Sequence, residues 1–184
     1  EDIDAVVSKA PGGISNIEDM YPLSPLQDGI YFHYLMSDQD HGDPYVLSSL
    51  FSFPSREKRS LFIEALQFVV DRHDVLRTCV VSEGLPQAVQ IVLREAVLAV
   101  EELDVSELEL LAEPGNQRMD VSKAPLLELK LADDVLTDSF YLIINQHHLV
   151  LDHVGLEKII LEITAYLSGK TSSLPTPALY RNFI

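Results

Sequence analysis

Apolar residues recur at helical spacing in two long segments. Leu61, Phe62, Ala65, Leu66, Val69 and Val70 form one stripe, opposed by Arg56, Lys58, Glu64 and Asp71, and predict an amphipathic helix over 55–72. Ser55, just after Pro54, is placed to cap it. Val154, Leu156, Ile159, Ile160, Ile163 and Leu167 predict a second helix over 152–168, with Gly169 where a C-terminal cap belongs. Leu26, Ile30, Phe32, Tyr34 and Leu35 suggest a third over 25–36, with Pro25 in its first turn. A short acidic helix is expected from Ser106 to about Glu113, ended by Pro114-Gly115. Strand-like runs cover 45–53, 75–81, 87–92, 97–103, 126–131 and 140–147. A hairpin-like connection spans Glu83 to Pro86, and a polar turn falls around Asp133-Asp134. Pro22 and Pro25 bracket a short extended lead-in. This mixture predicts an α/β domain, a sheet covered by helices. Ala10-Pro11-Gly12-Gly13 reads as the end of a linker.

Composition narrows the class. A chain of 184 residues with 47% apolar content can bury a sizeable core and is not a disordered segment. Thirteen basic against 29 acidic residues give a formal charge of −16, a surface that repels nucleic acid and anionic membrane. No nucleic-acid or membrane partner is therefore expected. Cys79 is the single cysteine, so no internal disulfide forms, and its apolar neighbours favour a buried, inert thiol. The sequence carries no membrane-spanning run and no visible signal peptide, so a cytoplasmic location is expected.

The chemistry concentrates at His147-His148-Leu149-Val150-Leu151-Asp152-His153. Adjacent strand residues face opposite ways, so only one of the two leading histidines can look into a given cavity. Imidazole titrates near neutrality and is suited to moving a proton there. Divergent neighbours make a poor metal pair, and no second His or Cys cluster completes a ligand set, so no metal is expected. Asp152 is placed to cap the following helix.

This stretch resembles the His-His-x-x-x-Asp-Gly motif of condensation domains of nonribosomal peptide synthetases, with His153 in place of Gly. Three more segments agree in order. Ser24-Pro25-Leu26-Gln27-Asp28-Gly29-Ile30 is similar to the family's first motif. Arg72-His73-Asp74-Val75-Leu76-Arg77-Thr78 is similar to its second, with Asp74 in place of Glu, and Tyr180-Arg181-Asn182-Phe183 to the start of its fourth.

The resemblance implies the chloramphenicol-acetyltransferase-like fold, with residues 15–184 as the N-terminal lobe of a V-shaped, two-lobed domain. Residues 1–14 would follow an upstream carrier domain. It implies amide formation between substrates tethered through phosphopantetheine to upstream and downstream peptidyl carrier domains, with no cofactor bound directly. The missing C-terminal lobe would be a further partner. His148 would act as general base or hold the acceptor amine, while His147 serves the same motif structurally. Asp152 would pair with Arg77, or alternatively with Arg72. Gly155 would either admit the pantetheine arm or simply be tolerated in the helix. His33-Tyr34-Leu35, Gly42-Asp43 and His153 resemble the dual epimerisation/condensation sub-type, with His33 and His148 as candidate participants. Two other readings stand beside this one: a coenzyme A-dependent acyltransferase of the same superfamily, and a non-catalytic carrier-binding or scaffold lobe.

Overall fold

The structure is a computed structural model that describes residues 10–37, 42–108 and 117–183, together with positions 7 and 111. In chain order the elements are β1 (Ile17–Pro22), α1 (Pro25–Met36), β2 (Val46–Phe53), α2 (Arg56–Arg72), β3 (Thr78–Val81), β4 (Val89–Leu93), β5 (Ala99–Leu103), β6 (Leu127–Asp134), β7 (Ser139–His147) and α3 (His153–Leu167). They build two sheets. One has the order β2-β7-β6-β5, antiparallel except for the parallel β5–β6 pair. The other is antiparallel, with the order β1-β4-β3. The sequence pattern anticipates a single covered sheet. The second sheet arises because β1, in the lead-in to Pro22, pairs with the β3–β4 hairpin.

Each helix is set by the residues at its ends. Ser24 and Gln27 form a reciprocal capping box for α1, with Pro25 in the first turn. Ser55 Oγ accepts from the Lys58 amide to start α2. Gly169, with φ 67°, ends α3, where its amide and that of Lys170 donate to the Tyr166 and Ala165 carbonyls. The periodic stripe of α2 becomes the core: Phe62, Ala65, Leu66, Val69 and Val70 are buried with Ile159 and Ile163 of α3 and Leu142 and Ile144 of β7. Full burial of each such large aliphatic side chain contributes about 1.5–3 kcal/mol.

Several boundaries differ from the sequence expectation. Residues 74–77 form a 3-10 turn, and β3 starts only at Thr78. Asp74 Oδ1 accepts from the Val75 amide and the Asp74 carbonyl from Thr78 Oγ1, local bonds that compete with a strand ladder. Strand β6 continues to Asp134, because Asp133 and Asp134 pair with Phe140 and Ser139, so the polar turn comes later. Of the acidic helix, a 3-10 turn at Val105–Glu107 is present. Residues 109–110 and 112–116 lie outside the described residues, as does most of the 1–14 linker.

Candidate active site

The period-two alternation of β7 sorts its side chains. Leu142 and Ile144 join the main core under the helices, whereas Ile143 joins a separate cluster with Leu108 and Ala132. His147 shares the Ile143 parity and is fully buried. Its Nδ1 accepts from the Leu149 amide at 3.1 Å. The ring proton therefore resides on Nε2, which donates to Asp43 Oδ2 at 3.0 Å. Asp43 is also fully enclosed, and its Oδ1 accepts from the Tyr45 amide at 2.8 Å. Burial pushes this carboxyl up, but the hydrogen bonds from His147 and Tyr45, with the charge of Arg118, hold it below its ordinary value. Arg118 lies 4.2 Å from the Tyr34 ring centroid and donates to the Tyr34 carbonyl. Tyr34 in turn meets the His147 ring edge to face.

His148 is placed differently. Its amide donates to the Tyr45 carbonyl at 2.9 Å, and the chain turns directly after it, through residues 148–150. The half-buried ring lines a cavity of about 390 Å³ between the starts of α1 and α3 and the 74–77 turn. Leu26, Ile30, Leu76, Val150 and Ile159 make the cavity predominantly apolar. His73, Lys158 and Tyr180 bring polar atoms to its wall. Burial raises the Tyr180 phenol. No hydrogen bond from another described residue engages the His148 ring. Its two nitrogens are available to whatever enters.

Asp152 does not pair with Arg77 or Arg72. It is exposed, and its Oδ1 accepts from the Gly155 amide at 2.7 Å as the N-cap of α3. Both arginines are engaged elsewhere. Arg77 donates to the Leu93 and Asp71 carbonyls and to Glu18 Oε2 at 2.8 Å. Arg72 donates to Glu162 Oε2 at 2.9 Å and to the Pro175 carbonyl. His73 meets the other oxygen of Glu162 at 3.0 Å. Asp74 Oδ2 accepts from the Tyr180 amide. The second motif thus ties α2 to α3, to β1 and to the last turn of the chain. It fixes the far wall of the cavity rather than holding Asp152. The carboxylate that does pair with the His-His motif is Asp43, a residue that sequence reasoning placed only in a sub-type signature.

The remaining candidates separate clearly. Gly155 lines the cavity, and a Cβ there would come within 2.5 Å of Leu151 Cδ1, so its side-chain void is already filled by Leu151. His153 is the exposed first residue of α3 and His33 is exposed on α1, against Phe32 and Tyr45. Neither lines the His148 cavity. Cys79 is buried, and desolvation pushes its thiol up to about 12, so it is not a nucleophile at neutral pH. Among the described residues no group of three His, Cys, Asp or Glu is arranged to hold a metal ion, and no helix is long and apolar enough to cross a membrane.

All four motif segments meet at this cavity, through Gln27, Leu76, His148 and Tyr180. The condensation-domain family model matches residues 17–184, and the chain belongs to that family. Malpinin synthetase of Mortierella alpina is 42% identical over 194 residues, covering 100% of this chain and 2% of that protein. Malpibaldin synthetase of the same organism is 41% identical over 193 residues, covering 100% and 3%. Tyrocidine synthase 2 of Brevibacillus parabrevis is 31% identical over 182 residues, covering 91% and 5%. The chain thus spans only a few per cent of these relatives. Among solved structures, the one described as "The crystal structure of CT" superposes with a TM-score of 0.70 at 18% identity, over 98% of this chain and 41% of that one. The starter condensation domain of rhizomide synthetase RzmA gives 0.66 at 18% identity, over 90% and 42%. The fold is the chloramphenicol-acetyltransferase-like fold of these domains.

Proposed function

We propose that this chain forms one wall of the amide-bond-forming centre of a nonribosomal peptide synthetase. An acceptor amine on one carrier domain attacks the thioester of a donor on another. The new C–N bond forms at the carbonyl carbon and the C–S bond breaks. The amine's proton passes through His148 to the departing sulfur. The observation that carries this reading is the His148 ring on the wall of an apolar cavity, its nitrogens unengaged and its backbone fixed by the Tyr45 carbonyl. A neutral imidazole there can accept the proton as the amine attacks, an effect typically worth about 10²–10⁴ in rate. No Ser or Cys nucleophile is needed.

Membership of the family supports a reading of substrates and partners. Donor and acceptor ride on the phosphopantetheine arms of upstream and downstream carrier domains. The remainder of a longer domain supplies the opposite wall. The test is to supply the full-length polypeptide with loaded carriers and follow amide product by mass spectrometry. Product from carrier-bound donors, and none from the same acyl groups on coenzyme A, is expected. Preferential use of the coenzyme A thioester would instead favour the free-standing acyltransferase.

A further inference from the structure

The turn that presents His148 is held on three sides, by Tyr45 on β2's lead-in, by His147 within the motif and by Gln27 at the start of α1. The His148 amide is bound by the Tyr45 carbonyl, and the Leu149 amide by the His147 ring. The Leu149 carbonyl is bound by Gln27 Nε2 at 3.0 Å. Gln27 is 4% exposed and Leu149 3%, so no solvent can replace that bond.

The orientation of the Gln27 amide is forced. Its Oε1 accepts from the Ser24 amide at 2.9 Å, half of the capping box that starts α1. A flipped side chain would turn its NH2 group onto that N–H, donor against donor. The same amide forms a reciprocal pair with Gln90, each Nε2 lying 3.1 Å from the other's Oε1. Gln90 is fully buried on β4 and also donates to the Pro22 carbonyl. The capping box thus aims one N–H of Gln27 at the residue that follows His148, and the other N–H meets Gln90.

We infer that Gln27 is the positioning residue of the His148 turn, so that the start of α1 sets the place of the imidazole in the cavity. This rests on the reading of His148 given above. Gln90 touches neither the cavity nor the turn and contributes to stability alone. The two glutamines, although bonded to each other, therefore have separable roles.

A double-substitution cycle in the full-length polypeptide tests this, using Gln27→Leu, Gln90→Leu and both together. Each single change strands a buried amide and lowers stability, whereas replacing both partners by apolar groups recovers part of it. Two readouts are taken, amide exchange of peptides covering 147–151 by mass spectrometry, and kcat with KM for amide formation. Gln27→Leu and the double variant should both exchange faster in the turn. Both should lose about 10- to 100-fold in kcat with KM near the parent's, because a small displacement of a catalytic group acts on the chemical step. Gln90→Leu should keep the parent's turn exchange and kcat. If Gln27→Leu fails to fold, the double variant carries the comparison. Unchanged turn exchange on loss of Gln27, or equal loosening by Gln90→Leu, would overturn the proposal. His148→Ala is run alongside. Parental kcat in that variant would refute the role of His148 itself, independently of the exchange result.

Discussion

Replacing Asp43 by Ala is the perturbation to which the core of this site should respond most. The side chain has no solvent exposure and accepts two hydrogen bonds, from the His147 ring and the Tyr45 amide. Its removal strands both donors in the interior, at about 1–3 kcal/mol each. The two together come to about 2–6 kcal/mol. For a chain of this size about 1 kcal/mol moves the melting temperature by about 2–4 °C, so a fall of about 4–24 °C is expected. The assay is thermal and urea unfolding followed by circular dichroism. The pH dependence gives a second signature. The Asp43 carboxyl is held below its ordinary value. Its contribution is therefore fully present above the unfolded value, about 3.9, and is lost as pH falls through the lower folded one. Asp43→Asn should abolish that acid-side component. An Asp43→Ala chain within about 1 kcal/mol of the parent would refute the buried pair as the anchor of the His-His motif.

Asp152→Ala should cost only about 1 kcal/mol in the same unfolding assay, the loss of an exposed N-cap; a loss near 4 kcal/mol would indicate a hidden ionic partner. Gly155→Ala should cost about 1–3 kcal/mol and slow amide formation, because the added methyl displaces Leu151 in the cavity wall; unchanged stability and rate would show that Leu151 moves freely. If the polypeptide also inverts its donor, deuterium wash-in at the donor Cα should survive His33→Ala and vanish in His148→Ala, since His33 does not line the cavity; loss of wash-in in His33→Ala would contradict that placement.

Helices α1, α2 and α3 were legible because their apolar stripes, caps and stop residues are local. The division between His147 and His148 was legible for the same reason, since strand alternation alone separates them. What the sequence hid was long-range. Asp43 lies 104 residues before His147, and Glu18 lies 59 before Arg77, with nothing local to join them. A plausible Asp152–Arg77 pair was expected where the fold instead provides Glu18 for the arginine and a helix end for the aspartate. The second sheet was hidden likewise, because its β1–β4 register depends on strands about seventy residues apart. Gln27 was visible within a motif, but its bond to Leu149, 122 residues away, exists only once α1 docks beside the turn.

The most direct test of the central claim is the rate of amide formation by the full-length polypeptide carrying His148→Ala, with both carrier domains loaded. The parent and variant are compared under single-turnover conditions, and an unchanged unfolding profile shows that the fold survives. The account predicts a fall of about 10²–10⁴-fold. A folded variant that forms product at the parent's rate would contradict it, because the cavity would then work without the imidazole that faces it.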